Sequence, residues 1–188
     1  MARKPRTAKG RVMKPNSFVF CEGETEVAYV DILRSQYRLA IHVIAKKTLL
    51  NVTPSMVERC KAAYIQTKND RTFLMYDLDV PTMLDKLKRV PESTLLCSNP
   101  CFEIWLLLHV KDHKSTIDSE EVIKELRNST SVWKDYKKPS FTKAQKDFLI
   151  SNTDNAVRRA KELIELQNPS TTVFKLIEIL RDYHLSQP

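Results

Sequence analysis

Two short acidic segments in this chain have the composition and spacing to hold a divalent cation. In Glu22-Gly-Glu-Thr-Glu26 the outer glutamates are four residues apart, one turn of a helix, so they can face the same side. Glu24 points elsewhere in that arrangement and serves as an internal control. In Asp77-Leu-Asp79 the two carboxylates share a face if the segment is extended. Carboxylates held side by side repel unless a proton or a cation compensates. Mg²⁺ is the usual cation for such oxygen ligands, bound by a few carboxylates plus waters and substrate phosphate. Four acids could hold one or two such ions, and two would activate an attacking oxygen and stabilise a leaving one. The competing reading is that acids near helix starts merely suit the helix dipole. Each motif alone is common, and spacing by itself leaves both readings open.

These acids have to be positioned by the elements around them. Residues 17–21 (SFVFC) read as a short buried strand that Glu22-Gly23 ends. From Thr25, the expected N-cap, to about Leu39 the apolar spacing is helical, with Val27, Val30, Leu33 and Tyr37 on one stripe. Gly23 then lies at a strand-to-helix turn, where lacking a side chain lets the backbone turn tightly and approach a ligand. Residues 40–45 read as a second strand. A helix capped by Thr53, with Pro54 in its first turn, continues to about Lys68. Residues 71–76 (RTFLMY) form a third strand that leads into Asp77, Pro81 opens a short helix to about Lys88, and residues 93–97 (STLLC) form a fourth strand. A helix from Phe102 to about His109 follows Ser98-Asn-Pro100. Strands alternating with helices predict an α/β fold with a mostly parallel, four-stranded sheet flanked by helices. Ligands of such sheets bind outside the carboxyl ends of the strands. Glu22, Asp77, Asp79 and the 98–100 segment all fall there, and they converge if strands one and three are neighbours. Beyond residue 115 the signal is helical only, over about 118–127, 142–149, 153–166 and 170–184, so a helical C-terminal layer is expected.

The totals fit this frame. The chain has 188 residues, 42% of them hydrophobic, enough for a packed core. No apolar run approaches the roughly 20 residues needed to cross a bilayer, and no apolar region follows the basic N-terminus. A cytoplasmic protein without membrane association is expected, with Cys21, Cys60, Cys97 and Cys101 reduced. The formal net charge is +8. The first fourteen residues hold Arg3, Lys4, Arg6, Lys9, Arg11 and Lys14 and no acid, which leaves 25 basic against 23 acidic side chains in the rest. Residues 1–15 are therefore read as a basic flexible arm that either grips phosphates or simply aids solubility. Residues 16–115 are read as the α/β core and 116–188 as a helical extension packed on it.

Other residues admit two readings. Glu103, at the start of a helix, is a candidate further metal ligand or base. Asn99 could orient a ligand or cap that helix. Pro100, Phe102 and Trp105 read as structural, and His109 as a packed histidine. Cys97, Cys101, His109 and His113 have a superficially zinc-like order, but they sit on a strand end and an apolar helix rather than on paired turns. Lys137, Lys138, Lys143 and Lys146 stand among Trp133, Tyr136 and Phe141. That mixture suits a nucleic-acid strand, or a solvated loop with anchoring aromatics. One of these lysines could also stabilise charge on a transferring phosphate.

The strand, Glu22-Gly23, helix, strand, Asp77-x-Asp79 order resembles the Toprim fold of topoisomerases, primases and overcoming-lysogenization-defect nucleases. Glu26 occupies the place of the second acid in the nuclease branch. The run Phe18-Val-Phe-Cys-Glu-Gly-Glu-Thr-Glu26 is similar to the opening motif of the RloB-like family of bacterial defence and abortive-infection proteins. Ser98-Asn-Pro-Cys-Phe-Glu-Ile-Trp-Leu-Leu-Leu-His109 is similar to that family's most distinctive motif, and Asn168-Pro-Ser-Thr171 to its C-terminal signature. The resemblance spans about residues 17–183. It implies a Toprim-like fold, and Mg²⁺ (or Mn²⁺) held by Glu26, Asp77 and Asp79, with Glu22 a further metal ligand or the acid/base that handles the proton. It further implies nuclease activity on DNA or RNA in phage defence, and an AAA- or ABC-type ATPase partner encoded nearby. A homo-oligomer is compatible with it. The segment between strand two and the next helix is shorter than the family's pattern. A non-catalytic sensor or adaptor of the same defence system is the alternative.

Overall fold

Alternate residues of two apolar runs face opposite ways, and that alternation builds the centre of the molecule. The computed structural model describes residues 15–38, 41–45 and 52–185. The arm lysines and arginines named above, Arg3 to Lys14, lie outside the described residues. Strands β1 (Ser17–Cys21) and β3 (Arg71–Asp77) are parallel neighbours. On one side of the sheet, Val19, Cys21, Phe73 and Met75 join one core; on the other, Phe18, Phe20, Leu74 and Tyr76 join a second. A strand buried on both faces reads as an unbroken apolar run, as these do.

The sheet order is β2-β1-β3-β4-β5, with β2 (Ile41–Ala45) at one edge, β4 (Ser93–Asn99) beside β3, and β5 (Ser170–Thr171) at the far edge. The first four strands are parallel, and β5 runs antiparallel to β4. The expected four-stranded sheet therefore gains a fifth strand. Two residues are too few to show a period, and the expected 170–184 helix hid this one. The true helix, α7 (Phe174–Leu185), starts after it.

Helices cover both faces. On the larger core lie α1 (Glu24–Tyr37), α4 (Glu103–Val110), α6 (Lys143–Lys161) and α7, with Val122 and Leu126 of α5 (Ser119–Ser129) packed in. The smaller core is covered by α2 (Pro54–Lys61) and α3 (Met83–Lys88). The Thr53 hydroxyl caps α2 by accepting the Met56 N–H at 3.2 Å, but that helix stops at Lys61, short of the expected Lys68. Helix α6 is continuous where the sequence suggested two helices. A capping box of Thr142 and Gln145 starts it. It runs unbroken through Ser151-Asn152-Thr153, where the Thr153 hydroxyl bonds back to the Leu149 carbonyl at 2.8 Å. Among the described residues no helix is long and apolar enough to cross a membrane.

Candidate functional site

The site forms where β1 and β3 end together. Glu22 is the first residue past β1, and its N–H still bonds to the sheet, at the Met75 carbonyl (3.1 Å). Its side chain reaches across to the neighbouring strand end, where Oε2 accepts the Asp77 N–H at 3.0 Å. Burial raises the Glu22 pKa, opposed by that hydrogen bond and assisted by the negative charge of Asp79.

Gly23, not Thr25, is the N-cap of α1, and it offers no side-chain cap. Thr25 is instead a buried residue within the first turn. The shift places Glu26 at the third helical position, where a glutamate can fold back on the unpaired N–H groups of the first turn. Gly23 has an ordinary extended φ of −115°, so backbone freedom does not explain it. Space does: a Cβ there would lie 2.7 Å from Glu26 Oε2. The glycine makes room for the Glu26 carboxylate. Glu26 is 5% exposed, and its pKa is pushed up to about 7 by burial, reinforced by the charges of Glu103 and Glu22. Glu24 is exposed, off this cluster.

Asp77 is the last residue of β3, paired in register with Ser98 of β4. Its Oδ1 is buried and has no hydrogen-bond partner among the described residues. Burial raises its pKa to about 9, and the charges of Glu26, Glu103 and Glu22 add to the effect, in that order. Asp79 does not share this environment. The strand ends at Asp77, so the extended geometry that would align the two aspartates is lost, and Asp79 sits exposed on the following loop. It lines the edge of a groove of about 890 Å³ together with Asn99, His113, Asp118 and Glu121.

Glu103 opens α4 with no solvent exposure. Its Oε1 accepts the Tyr136 hydroxyl at 3.0 Å, and its Oε2 forms an ion pair with Lys138 Nζ at 2.8 Å. The Lys138 side chain is 48% exposed, so one partner of this pair is half in water while the other is fully buried. Burial lowers the Lys138 pKa, but the Glu103 charge and hydrogen bond outweigh that and the net shift is upward.

The remaining candidates divide. Asn99 does not cap α4, whose N-cap is Phe102. Its amide donates to the Leu166 carbonyl at 3.1 Å and ties β4 to the loop before β5. The Asn99–Pro100 bond is cis. Phe102 and Trp105 are buried against Tyr29, with ring centroids 5.5 and 6.3 Å away. His109 is buried, with Nδ1 on the Trp105 carbonyl at 2.8 Å, and burial lowers its pKa to about 4, so it is a neutral packed residue. Cys21, Cys97 and Cys101 are buried free thiols. Lys137 is exposed, but Trp133, Tyr136 and Phe141 are buried against one another. They form an anchor and leave no ring face free to stack a base. Tyr136, 33 positions from Glu103 in the chain, was missed as a site residue because no local pattern links two residues so far apart.

The donor set consists of hard carboxylate oxygens, the chemistry that suits Mg²⁺, and the orphaned Asp77 Oδ1 points the same way. Glu22, Glu26, Asp77 and Glu103 influence one another electrostatically, yet among the described residues no group of three or more His, Cys, Asp or Glu side chains is arranged to hold an ion. Lys138 supplies the positive charge in the arrangement seen.

Among protein families, the model described as RloB-like protein matches residues 17–180, most of the chain. No curated protein and no solved structure matches it.

Proposed function

We propose that this chain, which belongs to the RloB-like family, is a Mg²⁺-dependent phosphodiester hydrolase of the Toprim type that cuts DNA or RNA in phage defence. The observation that carries the reading is the half-buried Asp77, whose Oδ1 is buried and unpartnered among the described residues and is faced by the charges of Glu26, Glu103 and Glu22. Repelling acids at a strand end cost stability unless a ligand repays it, and perturbed carboxylates of this kind concentrate at functional sites.

In this reading Asp77, Glu26 and Glu22 hold Mg²⁺ or Mn²⁺, and Asp79 approaches from the groove side. A bound ion would polarise the scissile phosphate and lower the pKa of an attacking water. Glu22, half-buried at the end of β1, either completes the ion's ligands or takes up the proton of the attacking water. Lys138 faces the developing negative charge on the phosphate. The nucleic-acid backbone is expected on the side of exposed Lys137 and Lys138 rather than along the acidic groove of Asp79, Asp118 and Glu121. An ATPase encoded nearby is the expected partner, and the cytoplasm the expected location.

One observation favours a second reading. Glu103 is already engaged at both oxygens, by the Tyr136 hydroxyl and the Lys138 ammonium, and so is held in place without an ion. A non-catalytic sensor that binds a nucleotide or nucleic acid and signals to the ATPase would have no need of one. The experiment is to incubate wild type and Asp77→Ala with single-stranded DNA, duplex DNA and tRNA in Mg²⁺ or Mn²⁺, with and without the neighbouring ATPase. Cleavage by wild type alone supports the hydrolase. Absence of cleavage in every combination ends it and leaves the sensor.

A further inference from the structure

Both oxygens of a fully buried carboxylate are claimed by one loop of the C-terminal helical layer. The Tyr136 hydroxyl donates to Glu103 Oε1 at 3.0 Å, and Lys138, two residues on, meets Oε2 at 2.8 Å. Tyr136 is itself immobilised. Its ring lies 5.6 Å from Trp133 and 6.1 Å from Phe141, and its carbonyl accepts the Arg127 Nε–H at 3.0 Å. Packing alone does not call for the hydroxyl. Phenylalanine would fill the same aromatic cluster, whereas a buried tyrosine hydroxyl needs a partner and here takes a carboxylate.

We propose that Tyr136 is a positioning residue of the carboxylate site: it fixes Glu103 by Oε1 so that Oε2 stays turned toward Lys138. The metal part of this inference rests on the hydrolase reading above; the orientation of Glu103 does not. Glu103 is not one of the three proposed ligands, but its charge acts on Asp77 and Glu26, and outer partners of a metal site are typically worth roughly 10- to 100-fold in affinity.

The test compares wild type with Tyr136→Phe, which keeps the ring. Mg²⁺ affinity is measured calorimetrically. The ¹⁵Nζ chemical shift of Lys138, which reports its pairing with the buried Glu103 carboxylate, is followed by NMR without metal. The expected result is Mg²⁺ binding weaker by roughly 10- to 100-fold and a displaced Lys138 signal, with cooperative unfolding retained. An unchanged Lys138 signal overturns the proposal. If wild type binds no Mg²⁺, the hydrolase reading falls and the NMR comparison alone decides the positioning role. Should Tyr136→Phe fail to fold, Arg127→Met frees the Tyr136 carbonyl instead and is read by the same signal, an unchanged signal again overturning the proposal.

Discussion

Glu22 accepts the backbone N–H of Asp77 through Oε2 at 3.0 Å, so the carboxyl ends of two neighbouring strands are joined by a side chain that also belongs to the acidic cluster. Structure and chemistry separate in its variants. Glu22→Gln keeps an oxygen acceptor for Asp77 and removes a charge that burial and Asp79 disfavour. Glu22→Ala removes both. Urea unfolding is expected to find the Gln variant close to wild type and the Ala variant destabilised by about 1–2 kcal/mol. Both should lose Mg²⁺ binding by calorimetry.

Gly23→Ala tests the space beside Glu26. The added Cβ, 2.7 Å from Glu26 Oε2, has to displace the carboxylate. The backbone φ suits alanine, so the chain should fold, with a cost of about 1–3 kcal/mol from crowding. Mg²⁺ affinity and any cleavage should fall sharply. A variant that binds Mg²⁺ as wild type does would show that Glu26 is not a ligand.

The pH dependence of stability has a definite sign. Burial and the neighbouring acids raise Asp77 to about 9 and Glu26 to about 7, above the usual range for unfolded carboxylates. The folded state therefore holds protons that the unfolded chain has released. The resulting stabilisation is fully present below about pH 4 and is lost as pH rises through the two folded values. Urea midpoints between about pH 5 and pH 9 should fall with increasing pH, and Asp77→Asn should flatten the slope. Saturating Mg²⁺ should reverse the loss at the alkaline end, because binding to the folded state alone stabilises it.

Lys138→Met leaves Glu103 buried without its cation. Half of the lysine side chain is in water, so the loss should be about 1–2 kcal/mol rather than that of a fully buried pair. If Lys138 stabilises the phosphate during cleavage, turnover should drop by two orders of magnitude or so, as for loss of a single electrostatic group, while Mg²⁺ binding persists. Turnover measured at saturating substrate and Mg²⁺ checks this, and unchanged turnover removes Lys138 from the chemistry.

Local patterns were enough for most of the frame. The apolar runs at 17–21 and 71–76, the Thr53-Pro54 helix start and the strand–helix alternation each follow from interactions a few residues long, and they place Glu22 and Asp77 at strand ends. Gly23 was legible as a turn. Its actual job, room for a carboxylate, was not, because that depends on a side-chain position. What the sequence by itself determined was that acids would stand at the carboxyl edge of an α/β sheet. The tertiary structure decided which of them share an environment. The parallel pairing of β1 with β3 brings Glu22 onto Asp77 across 55 positions of chain. The end of β3 at Asp77 leaves Asp79 in solvent. Tyr136 and Lys138 reach Glu103 because the C-terminal layer folds back over α4, with α6 and α4 sharing one core. Burial, desolvation and contacts between remote residues set the charges of this site, and none of them has a period that a sequence can display.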